Sequence, residues 1–75
     1  MNKVISLNET IYELCNKYPE IKEILRDLGF VDIVNPIMMN TAGRVMTIPK
    51  GTQMKNIHIE KVIEKLKENS FEIIQ

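Results

Sequence analysis

Tryptophan is absent from this chain of 75 residues, and cysteine and histidine occur only once each. A single thiol, Cys15, excludes an internal disulfide framework and matches a reducing cytoplasm. One Cys and one His cannot supply the ligand set of a structural zinc, and no metal-ligand spacing is present. No metal or cofactor is expected. An excess of charge is missing too, because ten Lys and Arg balance ten Asp and Glu. Nucleic-acid binders draw much of their affinity from a basic surplus, so nucleic acid is not the expected partner. Long apolar runs are also lacking, and none approaches the ~20 residues of a bilayer span. The start, Met1 to Glu9, is too briefly apolar for a signal peptide. No membrane role is expected.

What is present is an ordinary globular composition, with 44% apolar and 27% charged residues. It fits one small domain over residues 1–75, near the lower size limit for a lone apolar core. Burial at about 25 cal/mol per Å² must there offset roughly 1.5 kcal/mol per ordered residue. Ile, Leu, Val, Met and the two Phe have to fill that core. Modest stability, or help from self-association, is the consequence. Heavy use of Ile, Lys, Asn and Glu fits an AT-rich bacterial genome.

The apolar spacing is mostly helical. Lys3 to Leu7 is β-branched and short, an extended segment, after which Asn8 is placed to cap a helix carrying Glu9 in its first turn. Ile11, Leu14 and Cys15 share one face of that helix. Pro19 opens the next helix, in which Ile21, Ile24, Leu25 and Leu28 fall at i, i+3, i+4 and i+7. Gly29 sits where a left-handed residue would end it, with Phe30 folding back on the last turn. Asn35-Pro36 repeats the start signal for a short helix stopped by Gly43. Thr47 and Pro49 begin another short helix through about Lys55, weakened by Gly51. Ile59, Val62, Ile63 and Leu66 mark the last helix, and Phe71 to Ile74 forms a short strand or packed tail. The fold class is an all-α array of about five short helices, with at most short extended segments at the termini.

Reactive side chains are few. Cys15 lies on the apolar face of the first helix, where a free thiol is usually buried and inert. His58 precedes the last helix as a cap or turn residue. Met38, Met39, Met46 and Met54 are soft enough for Cu(I), but they lack a repeated methionine motif. They read as adaptable core filler, with an exposed subset available as a patch for a partner. Thr47 to Asn69 has the outline of a helix-turn-helix, yet Glu60, Glu64 and Glu68 along the second helix would repel phosphate. The densest polar set is Asn35, Asn40, Thr41, Arg44 and Thr47. Two helix starts there can aim N–H groups at one anion beside Arg44. The same residues also serve as helix caps, with Arg44 as a structural tie.

The ordered set Tyr18-Pro19-Glu20, Leu28-Gly29-Phe30, Asn35-Pro36, Asn40-Thr41 and Gly43-Arg44-Val45-Met46-Thr47 resembles a bacterial family of short domains of unknown function. The resemblance runs from about Ser6 to Phe71 and implies a compact helical array. It is also similar to the N-terminal domain of iron–sulfur-cluster repair (repair of iron centres) proteins. A third similarity is to the redox domain associated with hybrid-cluster proteins. In those relatives cysteines follow the glycine that ends the second helix, whereas here Gly29-Phe30-Val31-Asp32-Ile33 has none. The expectation is therefore a cytoplasmic, non-enzymatic module that binds a protein partner or a small anionic ligand. Its expected surface is Asn35, Met38, Met39, Asn40, Thr41, Arg44 and Thr47. The alternative is a redox or iron–sulfur accessory that acts with a partner enzyme and uses Cys15 or an intermolecular site.

Overall fold

A computed structural model describes residues 3–74. Five α-helices follow in the order α1 (Ile11–Lys17), α2 (Glu20–Asp27), α3 (Pro36–Asn40), α4 (Ile48–Lys55) and α5 (Ile59–Glu68). Two 3-10 turns, Val31–Val34 and Ala42–Arg44, flank α3. The all-α expectation needs one correction. The extended segments at the two ends, β1 (Lys3–Ser6) and β2 (Phe71–Ile74), pair as a parallel two-stranded sheet. Lys3 lies opposite Phe71 and Ser6 opposite Ile74, so the whole helical array acts as the crossover that parallel strands require. Pairing satisfies backbone groups that the burial of Ile5 and Phe71 would otherwise strand. The result is a mostly helical fold closed by a small sheet.

The core runs through nearly every element. Ile5, Leu7, Ile11, Leu14, Ile21, Ile24, Leu25, Phe30, Ile33, Ile48, Val62, Leu66 and Phe71 form one buried cluster. The i, i+3, i+4 faces of α1, α2 and α5 supply seven of these side chains, which explains why those helices read clearly in sequence. Tyr18 packs edge-on against Phe71 with ring centroids 5.3 Å apart, fastening the end of α1 to the sheet.

Local chemistry fixes the helix ends. The start of α1 is two residues later than expected: Thr10, not Asn8, is the cap. Thr10 Oγ1 accepts the Glu13 N–H at 3.2 Å, and Glu13 Oε1 accepts the Thr10 N–H at 2.9 Å. This reciprocal capping box outcompetes a lone Asn. Glu9 is drawn elsewhere, accepting from the Ser6 N–H at 3.0 Å and from Lys17 Nζ at 2.9 Å. At the end of α2, Gly29 takes φ +117°. Its N–H donates to the Arg26 carbonyl and the Phe30 N–H to the Leu25 carbonyl, which is the double bond of a Schellman cap. That geometry throws the Phe30 ring into the core, where it is fully buried.

The segment after Phe30 departs further from expectation. α3 stops at Asn40 rather than at Gly43, because the Thr41 hydroxyl donates to the Ile37 carbonyl at 2.8 Å and ends the helix early. Gly43 is instead buried in the second 3-10 turn, against Met39. Gly51 also has a positive role. A Cβ there would lie 2.4 Å from Phe30 Cε2, so the missing side chain makes room for the ring. Asn56 ends α4 in the left-handed conformation at φ 56°, and α5 turns back against α2 and the sheet.

Candidate binding cleft

Three helix-poor stretches converge between Phe30 and Lys55. The first 3-10 turn brings Ile33, the second brings Ala42 and Gly43 and is followed by Met46, and α4 brings Met54 and Lys55. With Met38 from α3 and Phe30, they line an apolar cleft of about 230 Å³. Asp32 and Lys55 close one side, their side chains paired at 2.8 Å across the mouth. Met46 is held in place by its backbone, since its carbonyl accepts the Ile11 N–H at 2.8 Å. Beside it, Thr10 and Thr47 form an isolated antiparallel bridge. The wall is therefore tied to α1, with Met46 packed against the core and the thioethers of Met38 and Met54 exposed.

Exposed apolar side chains are also frequent in the stretch of chain that builds the cleft. Met54 is 74% exposed, Ile37 72% and Val45 70%, with Val31, Val34 and Met38 exposed to lesser degrees. Isolated exposed apolar residues need no explanation, but a run of them in the stretch that forms a cleft marks a contact surface. The contrast with other surface grooves is chemical. The groove along α2 is lined by Pro19, Glu20, Lys22, Glu23, Arg26 and Val34, and the one on α5 by Glu60, Ile63, Glu64, Lys67 and Glu68. Both are open and charged.

The expected site residues divide between the two halves of this description. Met38 lines the cleft, and Met39 lies half-buried beneath it against Gly43. Asn35 and Thr47 cap their own helices: Asn35 Oδ1 accepts the Ile37 N–H at 2.9 Å, and Thr47 Oγ1 accepts the Lys50 N–H at 3.4 Å. At each helix start one backbone N–H is thus already taken by the cap. Thr41 turns its hydroxyl onto α3, and Asn40 is exposed with no side-chain bond among the described residues. Arg44 lies across the Tyr12 ring at 4.2 Å and donates to its hydroxyl at 3.1 Å. It is a stacked, oriented guanidinium on the cleft's flank.

Phe30, Asp32, Ile33, Ala42, Gly43, Met46, Met54 and Lys55 are the cleft residues that the expected surface left out. Met46 and Met54 carried a signal, because a methionine is the apolar residue most readily spared for an adaptable patch. The remaining ones carried none, since only tertiary packing brings them together.

The other reactive candidates lie away from the cleft. Cys15, expected to be buried, is only partly covered. Burial still pushes its thiol up to about 11, against a smaller lowering effect from the Lys22 charge. That is the direction of an inert thiol, not an activated one. His58 occupies the cap position of α5 without a side-chain cap bond, and it is exposed. Among the described residues, no group of three or more His, Cys, Asp or Glu is placed to hold a metal ion. No helix is long and apolar enough to cross a membrane.

Comparison with known proteins fits this geometry to a family. The family model described as Domain of unknown function (DUF1858) matches residues 5–63, which include every residue of the cleft. No curated protein matches the chain. Among solved structures, the chain is similar to the crystal structure of the conserved domain protein from Streptococcus pneumoniae TIGR4. The two share 34% identity with a TM-score of 0.92, over 99% of this chain and 94% of the other.

Proposed function

The chain belongs to the DUF1858 family, and from that premise we propose that it is a non-enzymatic protein-interaction module working through the methionine-lined cleft. The observation that carries this reading is a formed apolar cleft whose own lining includes the exposed side chains of Met38 and Met54. Size decides between ligand types. The cleft is about 230 Å³, below the ~300–1,000 Å³ typical of small-molecule sites. It suits one or two bulky side chains of a partner. Met38, Met46 and Met54 supply walls that repack around such anchors, as flexible thioethers do at adaptable protein surfaces. An anionic small ligand is less well supported, because Asn35 and Thr47 spend their side chains on helix caps.

The iron–sulfur repair and hybrid-cluster relatives enter this proposal as sharers of the scaffold. Where they carry cysteines, this chain places Phe30 in the core and Val31 and Asp32 on the surface. A redox accessory role would therefore fall to Cys15, whose raised pKa opposes thiolate chemistry. A reducing, cytoplasmic setting remains the reading that suits a lone thiol.

The test is a titration of the native protein with the apolar dye anilinonaphthalene sulfonate, followed by methionine-methyl and amide NMR. Shifts centred on Met38, Met46 and Met54, with α5 amides unmoved, are the expected result. A native protein that ignores the dye, or binds it along α5, would remove the cleft from consideration.

A further inference from the structure

We infer that the partner segment seated in this cleft is a short amphipathic stretch of protein whose bulky apolar anchor is flanked by acidic side chains. This rests on the cleft being the binding site. The added observation is the distribution of charge. Between Val31 and His58 the chain carries three bases, Arg44, Lys50 and Lys55, and one acid, Asp32. Of the ten bases and ten acids in the chain, that leaves seven bases and nine acids elsewhere. In a neutral protein, the stretch of chain that builds the cleft thus carries a net charge of +2.

Asp32 does not neutralise Arg44 or Lys50, because its carboxylate is taken by Lys55 at 2.8 Å. Arg44 and Lys50 are exposed and form no ion pair among the described residues. Both are placed to flank an occupant. Arg44 directly follows Gly43 in the cleft wall, and Lys50 lies one helical turn before Met54 on the same face of α4. The stack on Tyr12 holds the Arg44 guanidinium in a fixed orientation, so less side-chain freedom is lost when a carboxylate arrives. An apolar anchor supplies the burial, and the two cations select acidic neighbours and speed encounter. A segment with basic flanks would meet like charge on both sides.

The experiment uses the whole protein as bait for a displayed library of random peptides, long enough for about four helical turns. Selected peptides are located by methionine-methyl and amide shifts and their affinities measured at low and high salt. The expected peptides carry Leu, Ile, Met, Phe or Trp flanked by Asp or Glu, and they shift Met38, Met46 and Met54. Reversing both cations together, Arg44→Glu with Lys50→Glu, should weaken them roughly tenfold or more at low salt and much less at high salt. The milder pair Arg44→Gln with Lys50→Gln should give a smaller loss in the same direction, and it replaces the reversal if that variant does not fold. Peptides that fill the cleft without acidic enrichment, or that ignore both charge variants, overturn the acidic-partner inference and leave the cleft standing. A selection yielding no peptide, or only peptides that map outside the cleft, overturns both.

Discussion

The frame of this protein and its middle segment use apolar residues in opposite ways. In the helices of the frame (α1, α2 and α5, closed by β1 and β2), apolar side chains recur at helical spacing and seven of them end in the core. In its strands Val4 and Ile74 are exposed. From Val31 to Met54 they sit on short turns, and several of the largest point outward: Val31, Val34, Ile37, Met38, Val45 and Met54. Within that stretch only Ile33 and Ile48 are apolar members of the buried cluster. The frame converts its apolar surface into stability, whereas the middle segment leaves much of it available for contact. Phe30 joins the two, its ring fully buried in the core while also forming part of the cleft wall.

Because Phe30 belongs to both regions, its removal should have the largest effect. Phe30→Ala is expected to destabilise the fold by about 3–5 kcal/mol, as large aromatic truncations in a packed core do. Chemical denaturation measures it. A loss below about 1 kcal/mol would mean that the ring is not part of the frame's core.

Cys15 tests whether the frame hides any chemistry of its own. With its thiol pushed up from an ordinary value of about 9 to about 11, the thiolate at neutral pH is scarcer by roughly 100-fold. Alkylation of the native protein should be slower than that of free cysteine by a similar factor. Labelling as fast as the free amino acid would restore the redox accessory as the leading function.

Gly51 tests how tightly the middle segment is fitted to the frame. Alanine there gains about 1 kcal/mol of helix propensity. Its Cβ, however, would meet the Phe30 ring at 2.4 Å, and overpacking of this kind costs about 1–3 kcal/mol. The ring is buried, so Gly51→Ala should be a net loss of about 0–2 kcal/mol. A stabilised variant would show that α4 can slide on the core.

A smaller effect tests the seam between β1 and α1. The Lys17 ammonium, with help from the Ser6 N–H, holds the Glu9 carboxyl below its ordinary pKa. A depressed carboxylate contributes stability that is fully present above its unfolded pKa, about 4.3, and is lost as pH falls through the lower folded value. Wild type should therefore be slightly more stable than Glu9→Gln at pH 7, and the gap should close in acid. A gap that persists at pH 2 would assign the effect to shape rather than charge.

The same division explains what could be read from sequence. α2 was legible from end to end, because Ile21, Ile24 and Leu25 share one face and Gly29-Phe30 specify its stop locally. The start of α1 was misplaced by two residues because Asn8 offered a plausible cap, although the box Thr10-Ile11-Tyr12-Glu13 was present in the chain. Both terminal extended segments were legible, but not their pairing, which depends on the helices between them closing the loop. In the middle segment, Gly51 looked like a flaw in a helix until Phe30, 21 positions earlier, supplied the reason. Arg44 finds Tyr12 across 32 positions, and Met38, Met46 and Met54 meet from α3, the loop before α4 and α4 itself. No periodicity records such meetings. Local signals built the frame, and tertiary convergence built the site.

The most direct test of this division is a single comparison on the double variant Met38→Ala with Met54→Ala. Unfolding free energy and dye affinity are measured on the same sample. Both side chains are exposed, so stability should change by no more than about 0.5–1 kcal/mol, while dye binding at the cleft falls by roughly tenfold. A variant that loses as much stability as Phe30→Ala yet binds dye as wild type does would contradict the account, by placing these methionines in the frame.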